Sequence, residues 1–435
     1  MLIIDKLILN QIESTIMNKK FDNFLEGKYS YIWSDSWCLD KNKAWLMAGT
    51  MDALFSIDRE TGLTTLVSKI PADRIYGFRK HPRCIKKENI LICLPDNESY
   101  IWLYDILDNN SWSSIRVDNP KEVRLLCTHA WFVKEHLYIV SRGLKQIIEV
   151  DIKSKTIEKY YQLPVGVEEK IFESAFFNDC LYIVGGSPSS IYKFNCKSKN
   201  TIVYELDRID DQLRTICFDG KSFWLSGFSR KIYVWEENSN RTTMISDFPC
   251  SFGIWNFSGK YKSLLSYDFD TVEFPLFLTS ISVGEYIWFI PFQTNQILYI
   301  DKNTYDIKAF EVEGEEQKVD NLETQFLNHK YLLEYIRENR YIGLLSIKNK
   351  WIIEIDSQNL SYEIFEYHLD LECKLQIYKC FLEDYFKCSD ILLESESLRL
   401  EEMINHLILQ KNIDMGGEKR ADLCGDIIFG GLQKE

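Results

Sequence analysis

One pattern returns seven times along this chain, and it leaves few folds open. The stretches "LYIVSRGLKQIIEVDIKSKTI" (137–157), "LYIVGGSPSSIYKFNCKSKNTI" (181–202) and "IWFIPFQTNQILYIDKNTYDI" (287–307) share one grammar. Each runs an aromatic–aliphatic tract, a short Gly or polar loop, a second apolar tract, a turn and a third tract. Four more copies start near Lys43, Asn89, Ser222 and Tyr341. The tracts alternate or run apolar with β-branched and aromatic residues, the signature of strands and not of a 3.6-residue helical period. The turn position is Asp58, Asp105, Asp151, Asn195, Asp301 or Asp356, with Glu236 or Glu237 in the fifth copy. Asp and Asn suit it because their side chains bond the backbone two residues on.

A unit of roughly 45 residues with four strands has the length of a propeller blade. Such a sheet is too thin to bury both faces alone, whereas seven stacked about an axis cover one another and leave few open edges. The expectation is therefore an all-β, seven-bladed β-propeller over 30–372. Its blades fall near 30–71, 74–120, 123–164, 169–210, 212–249, 271–316 and 329–372, with an aromatic-rich insertion at 250–270. Residues 1–29 form an N-terminal extension. Residues 373–435 form a mostly helical C-terminal extension, in which Leu400, Met403, Ile404, Leu407 and Ile408 recur at helical spacing and Gly416 and Gly417 stop the helix.

Composition narrows the function classes. Hydrophobic residues make up 46% and aromatic residues 14%, enough for a core and incompatible with wholesale disorder. Lys and Arg number 51 against 65 Asp and Glu, a net charge of −14. The mean field thus repels phosphate, disfavouring nucleic acid and anionic membrane as partners. No basic leader and no apolar run of roughly 18 residues is present, so a cytoplasmic protein is expected. The twelve cysteines sit mostly in apolar tracts with no CxxC spacing. They read as free, buried thiols, with neither disulfides nor a metal site.

"LYIVGG" (181–186) resembles the double-glycine signature of kelch repeats. "IWFIPFQTNQILYIDKNTYDIKAF" (287–310) looks like the blades of streptogramin-lyase-type propellers. The resemblance spans about 30–372 and implies the fold. Streptogramin-lyase relatives use a histidine–glutamate–histidine set with magnesium at the channel mouth. The six histidines here, His81, His129, His136, His329, His368 and His406, do not reproduce that set, for only His81 and His129 fall on inner strands. No Gly-x-Ser-x-Gly elbow, P-loop or dinucleotide fingerprint appears.

A propeller concentrates function at the mouth of its channel, framed by the loops between second and third strands. In chain order those loops offer Thr50 and Asp52; Asp96 and Glu98; Arg142 and Lys145; Arg230 and Lys231; Phe292, Gln293 and Asn295; and Lys348 and Lys350. Basic residues on the same loop of three blades suit a carboxylate, a phosphate or an acidic peptide. Inner-strand tracts add Trp33, Arg79, His81 and His129. The plainer alternative is that these are ordinary surface cations and inter-blade packing. The reading is a non-catalytic binding or scaffolding propeller, without cofactor or metal, that holds a protein, a peptide or a small anionic ligand. The alternative is a small-molecule lyase or hydrolase using His81 or His129 as acid–base, with a divalent metal.

Overall fold

The computed structural model describes residues 37–40, 42–48, 53–71, 83–96, 98–108, 111–119, 123–166, 169–185, 189–206, 209–253, 275–292, 294, 296–313, 332–346, 350–370, 372–373 and 376. They form seven antiparallel sheets of four consecutive strands, the first of which gains a fifth strand from the segment that follows the seventh blade. The third sheet is typical: Cys127–Val133, His136–Ser141, Gln146–Asp151 and Thr156–Gln162 pair in order. The seven first strands are Trp37–Asp40, Arg83–Lys87, Cys127–Val133, Ile171–Phe177, Thr215–Phe218, Phe277–Val283 and Leu332–Arg337. First strands touch between sheets one and two, three and four, four and five, five and six, and seven and one, so the sheets are arranged about one axis. The chain is an all-β, seven-bladed propeller. Of the expected extensions, 1–29 and 373–435, only Cys373 and Gln376 are among the described residues, and of the expected insertion at 250–270 only 250–253 are. Among the described residues no helix is long and apolar enough to cross a membrane.

The core lies between blades and not within any one of them. Tyr138, Ile147, Ile171, Leu181, Ile183 and Phe194 join blades three and four. Trp224, Val234, Phe277, Ile287, Phe289 and Leu298 join blades five and six. Each such side chain contributes about 1.5–3 kcal/mol when fully buried. The described cysteines follow the expectation: all are free thiols, and all but Cys250 are buried.

Two polar knots set which blade neighbours which. Tyr138 faces Glu149 across the second and third strands of blade three. The Glu149 carboxylate accepts hydrogen bonds from Tyr138 Oη (2.5 Å), Tyr161 Oη (2.6 Å) and Lys199 Nζ, which reaches over from blade four (2.7 Å). Burial opposes ionisation of Glu149, yet these donors hold its carboxyl below the usual value. In blade four the residue facing Tyr182 is Lys193, and the carboxylate comes from blade five. There Glu237 accepts from Tyr182 (2.8 Å), Tyr204 (2.7 Å) and Lys193 (2.5 Å). The two knots are copies with their charges exchanged.

The recurring acid is a turn device. Asp151 Oδ1 accepts the N–H groups of Lys153 (2.8 Å) and Ser154 (3.1 Å), and Asp301 those of Asn303 (2.8 Å) and Thr304 (3.0 Å). Asn195 does the same work in blade four, for Lys197 and Ser198 (2.9 Å each). The ring closes where His368–Leu369 adds in parallel to the outer strand of blade one, Leu63–Lys69. His368 N donates to Gly62 O at 2.8 Å, and the Arg59 guanidinium lies 5.0 Å from the Phe365 ring centre.

The glycine of "LYIVG" (181–185) is required by a close approach. A Cβ on Gly185 would stand 2.5 Å from the carbonyl oxygen of Lys170, and one on Gly227 would stand 2.4 Å from that of Gln212. At both places the loop after the second strand presses on the segment that enters the same blade's first strand. Gly185→Ala is therefore expected to cost about 1–3 kcal/mol in urea unfolding through overpacking against rigid backbone; an unchanged midpoint would refute this close packing.

Backbone N–H donors, foremost those of Thr61, Ser154 and Asn303, hold the carboxyls of Asp58, Asp151 and Asp301 below the usual carboxylate value. Arg340 above all holds Asp356 at about 2. The folded chain then binds fewer protons than the unfolded one in acid. The stabilisation is complete above the unfolded value of about 3.9 and is lost as pH falls through the native values. The triple substitution Asp58→Asn, Asp151→Asn, Asp301→Asn should keep the neutral-pH melting temperature, as Asn195 keeps its own turn, while flattening the loss of stability in acid. Melting curves across pH check it, and an unaltered acid limb would count against it.

Candidate functional site

The loops between second and third strands share one face of the propeller with the segments that enter the first strands. Leu126 N donates to Asp96 O (3.1 Å), Gly143 N to Leu125 O (3.0 Å) and Phe292 N to Leu276 O (2.9 Å). The Asp turns occupy the opposite face, since they join third to fourth strands.

On the loop face, several cations foreseen as ligand groups tie blades and loops together. Arg142 Nε donates to Ile171 O of blade four (2.7 Å), and its guanidinium lies 4.9 Å from the Phe172 ring centre. Lys145 Nζ donates to Gly166 O (2.5 Å), and Lys231 Nζ to both Asp210 oxygens (2.7 and 2.8 Å). Arg230 is exposed and lies over Phe248 and Phe252, 5.6 and 5.4 Å from their centres. The Lys350 carbonyl accepts Tyr367 N (2.8 Å), and the Phe292 backbone is held as described above. Trp33, Arg79, His81 and Lys348 lie outside the described residues.

A second basic position went unread in the sequence. The residue at or just before the first strand is Arg83, Arg124, Lys170 and Arg214 in blades two to five. Arg124 is committed to Asp96, with Nε 2.7 Å and Nη2 2.8 Å from its two oxygens. Arg214 stands 5.0 Å from the Phe172 ring centre. Two guanidiniums thus pack on a single, nearly buried phenylalanine ring at the mouth.

The same stretch of blade four carries a β-bulge between Ile171 and Ser174, and the chain there swings Glu173 toward the neighbouring blades. Glu173 is buried. Its Oε2 accepts Ile216 N of blade five (3.2 Å), and its Oε1 accepts the Thr279 hydroxyl of blade six. His129 Nε2 of blade three lies 3.4 Å from Oε1. One carboxylate therefore joins first strands from four blades. Burial pushes the His129 imidazole below its usual value, Glu173 opposes the change, and the charges of Arg83 and Arg214 add to it. The imidazole is accordingly neutral at pH 7. It can accept a proton or hydrogen-bond a polar ligand.

The described residues of this site do not supply the histidine–glutamate–histidine set for magnesium that a streptogramin-lyase resemblance implies. Among the described residues no group of three or more His, Cys, Asp or Glu side chains gathers to hold a metal ion. Glu173 is the carboxylate beside His129, and the charges that reach the imidazole from Arg83 and Arg214 disfavour a bound cation. His136 lies away from the axis, with Nδ1 3.8 Å from Glu149.

Comparison with known proteins supports the fold and stops there. No protein-family model matches the chain, and no curated protein sequence matches it. Among solved structures, a streptogramin B lyase superposes with a TM-score of 0.52 at 11% identity, covering 73% of this chain and 92% of that chain. A catalytically inactive virginiamycin B lyase from Staphylococcus aureus with quinupristin gives a TM-score of 0.51 at 10% identity, with the same coverage. Identity this low carries the propeller fold alone, and it does not single out kelch repeats.

Glu173→Gln is expected to lower the His129 titration midpoint further in NMR, because the carboxylate is what supports the imidazolium. Stability should fall by about 1–3 kcal/mol if the amide leaves one of the buried partners unmet. A midpoint that stays or rises would mean the two side chains are uncoupled.

Proposed function

We propose that this chain is a non-catalytic binding propeller whose loop-face mouth takes the anionic group of a protein, a peptide or a small ligand, in the cytoplasm and without a cofactor. The observation that carries the reading is the stack of Arg142 and Arg214 on Phe172, with the charge of Arg83 beyond it at His129. A guanidinium laid on a ring is held in orientation by the aromatic face, and its in-plane donors suit carboxylate and phosphate oxygens in pairs. In a chain of net charge −14, guanidiniums drawn from three blades to one mouth depart from the mean field. Anchoring on blade backbone, as Arg142 is anchored on Ile171, lowers the ordering cost of binding.

A second reading rests on the His129–Glu173 pair, a neutral imidazole beside a buried carboxylate in a propeller that superposes on lyases. In that reading the mouth is the site of a small-molecule lyase or hydrolase, with His129 as the base. Calorimetric titration of the full chain with a triglutamate peptide and with inorganic phosphate separates the readings. Binding without turnover, weakened at least about tenfold in a folded Arg142→Gln, Arg214→Gln variant, is the expected outcome, since a charge-assisted hydrogen bond contributes about 1.5–3 kcal/mol. Unchanged affinity in that variant would overturn the anion reading. Turnover of a small molecule that disappears in His129→Ala would establish the enzymatic one.

A further inference from the structure

At the periphery of the loop face, blades six and seven leave an open cleft of about 640 Å³ lined by Glu313, Trp351, Tyr362, Ile364 and Glu366. Strand register assembles this lining. Across the third and fourth strands of blade seven, Trp351 pairs with Glu366, Ile353 with Ile364 and Ile355 with Tyr362, so all six project from one side of the sheet. Toward the axis, Ile353 and Ile355 are sealed in the core shared with blade six. Trp351, Tyr362 and Ile364 pack against the edge of that core and remain half-buried. Blade six supplies the opposite wall. Phe310 meets Tyr362 edge-on at 6.0 Å, and Glu313 N donates to Tyr362 Oη at 2.8 Å.

The chemistry of that lining selects its ligand. Glu313 and Glu366 are exposed, and among the described residues neither carboxylate is engaged by a hydrogen bond or an ion pair. Two carboxylates repel an anion. The ring faces of Trp351 and Tyr362 attract a cation through their quadrupoles, and they do so best when the cation sheds its water easily. A hydrated metal ion gains nothing from indole and Ile364, whereas an alkylated ammonium presents methyl groups to the rings and positive charge to the carboxylates. We propose that this cleft binds a quaternary ammonium group, carried either by a small molecule or by a trimethylated lysine side chain. It shares no residue with the anion-binding mouth and does not depend on that reading.

The test is titration of the full chain, by calorimetry and ligand-observed saturation-transfer NMR, with choline, with a trimethyllysine peptide and with 3,3-dimethylbutanol, the uncharged isostere of choline. At least one cation should bind, with the isostere several-fold to tenfold weaker, in keeping with a cation–aromatic contribution of about 0.5–2 kcal/mol. Trp351→Leu, and separately the pair Glu313→Gln with Glu366→Gln, should weaken the cation at least about fivefold while the melting temperature holds. Should Trp351→Leu fail to fold, the exposed glutamate pair carries the test. Binding of choline alone would mark a small-molecule site, and binding of the peptide alone a side-chain site; either supports the proposal. It is overturned if no cation binds, if the isostere binds as well as choline, or if the folded glutamate variant binds cations as the parent chain does.

Discussion

Everything in this molecule follows from the fact that a blade of four strands has two apolar faces and cannot cover either by itself. Leu181 and Ile183 are buried only because blade three lies against them, and Val184 and Tyr182 only because blade five does. The hydrophobic effect therefore acts between units, and each unit needs two neighbours. An open row would leave two bare faces at its ends. Closing the row on itself removes both, and the contact between the first strands of blades one and seven, reinforced outside by His368–Leu369, is that closure.

Closure also dictates where polar chemistry can be placed. First strands come together around the axis, so a side chain displaced by one bulge in blade four reaches groups of blades three, five and six. Glu173 acts as a structural node and as an electrostatic one. It satisfies backbone and hydroxyl donors that would otherwise be stranded in the interior, and it supports the proton of His129 against the pull of burial. Arg142 plays a similar double part, since its link to Ile171 steadies the guanidinium that faces Phe172.

Much of the fold was legible in the sequence because its signals are local. Short apolar tracts such as 137–141 and 181–185 specify strands, and the acid at Asp58, Asp151 or Asp301 specifies a turn through hydrogen bonds two and three residues away. The mouth was legible only in outline. Spacing placed Lys145 and Lys231 on the correct loops, but their partners, Gly166 O and Asp210, sit 21 residues away in sequence, on the segments that enter the first strand of the next blade and of the same blade, respectively. The bulge at Glu173 leaves no mark on the hydrophobic pattern, because Phe172 and Ser174 are buried on either side of it. Arg214, at the entry to the fifth blade, was not among the residues singled out. Its recurrence with Arg83, Arg124 and Lys170 was a signal that the chain offered in plain form.

The exchanged charges between blades three, four and five give the ring an internal order. A protein assembled from similar modules risks pairing them out of sequence, through swapping between chains or through duplication of a unit. Here Glu149 needs the lysine of the following blade, whereas Lys193 needs the glutamate of the one after that. A tandem copy of blade four would bring Lys193 against a second Lys199 and leave both without a carboxylate. Complementary sign thus works as an address label, making the succession of blades part of what the sequence specifies and restricting how this propeller can grow by repetition.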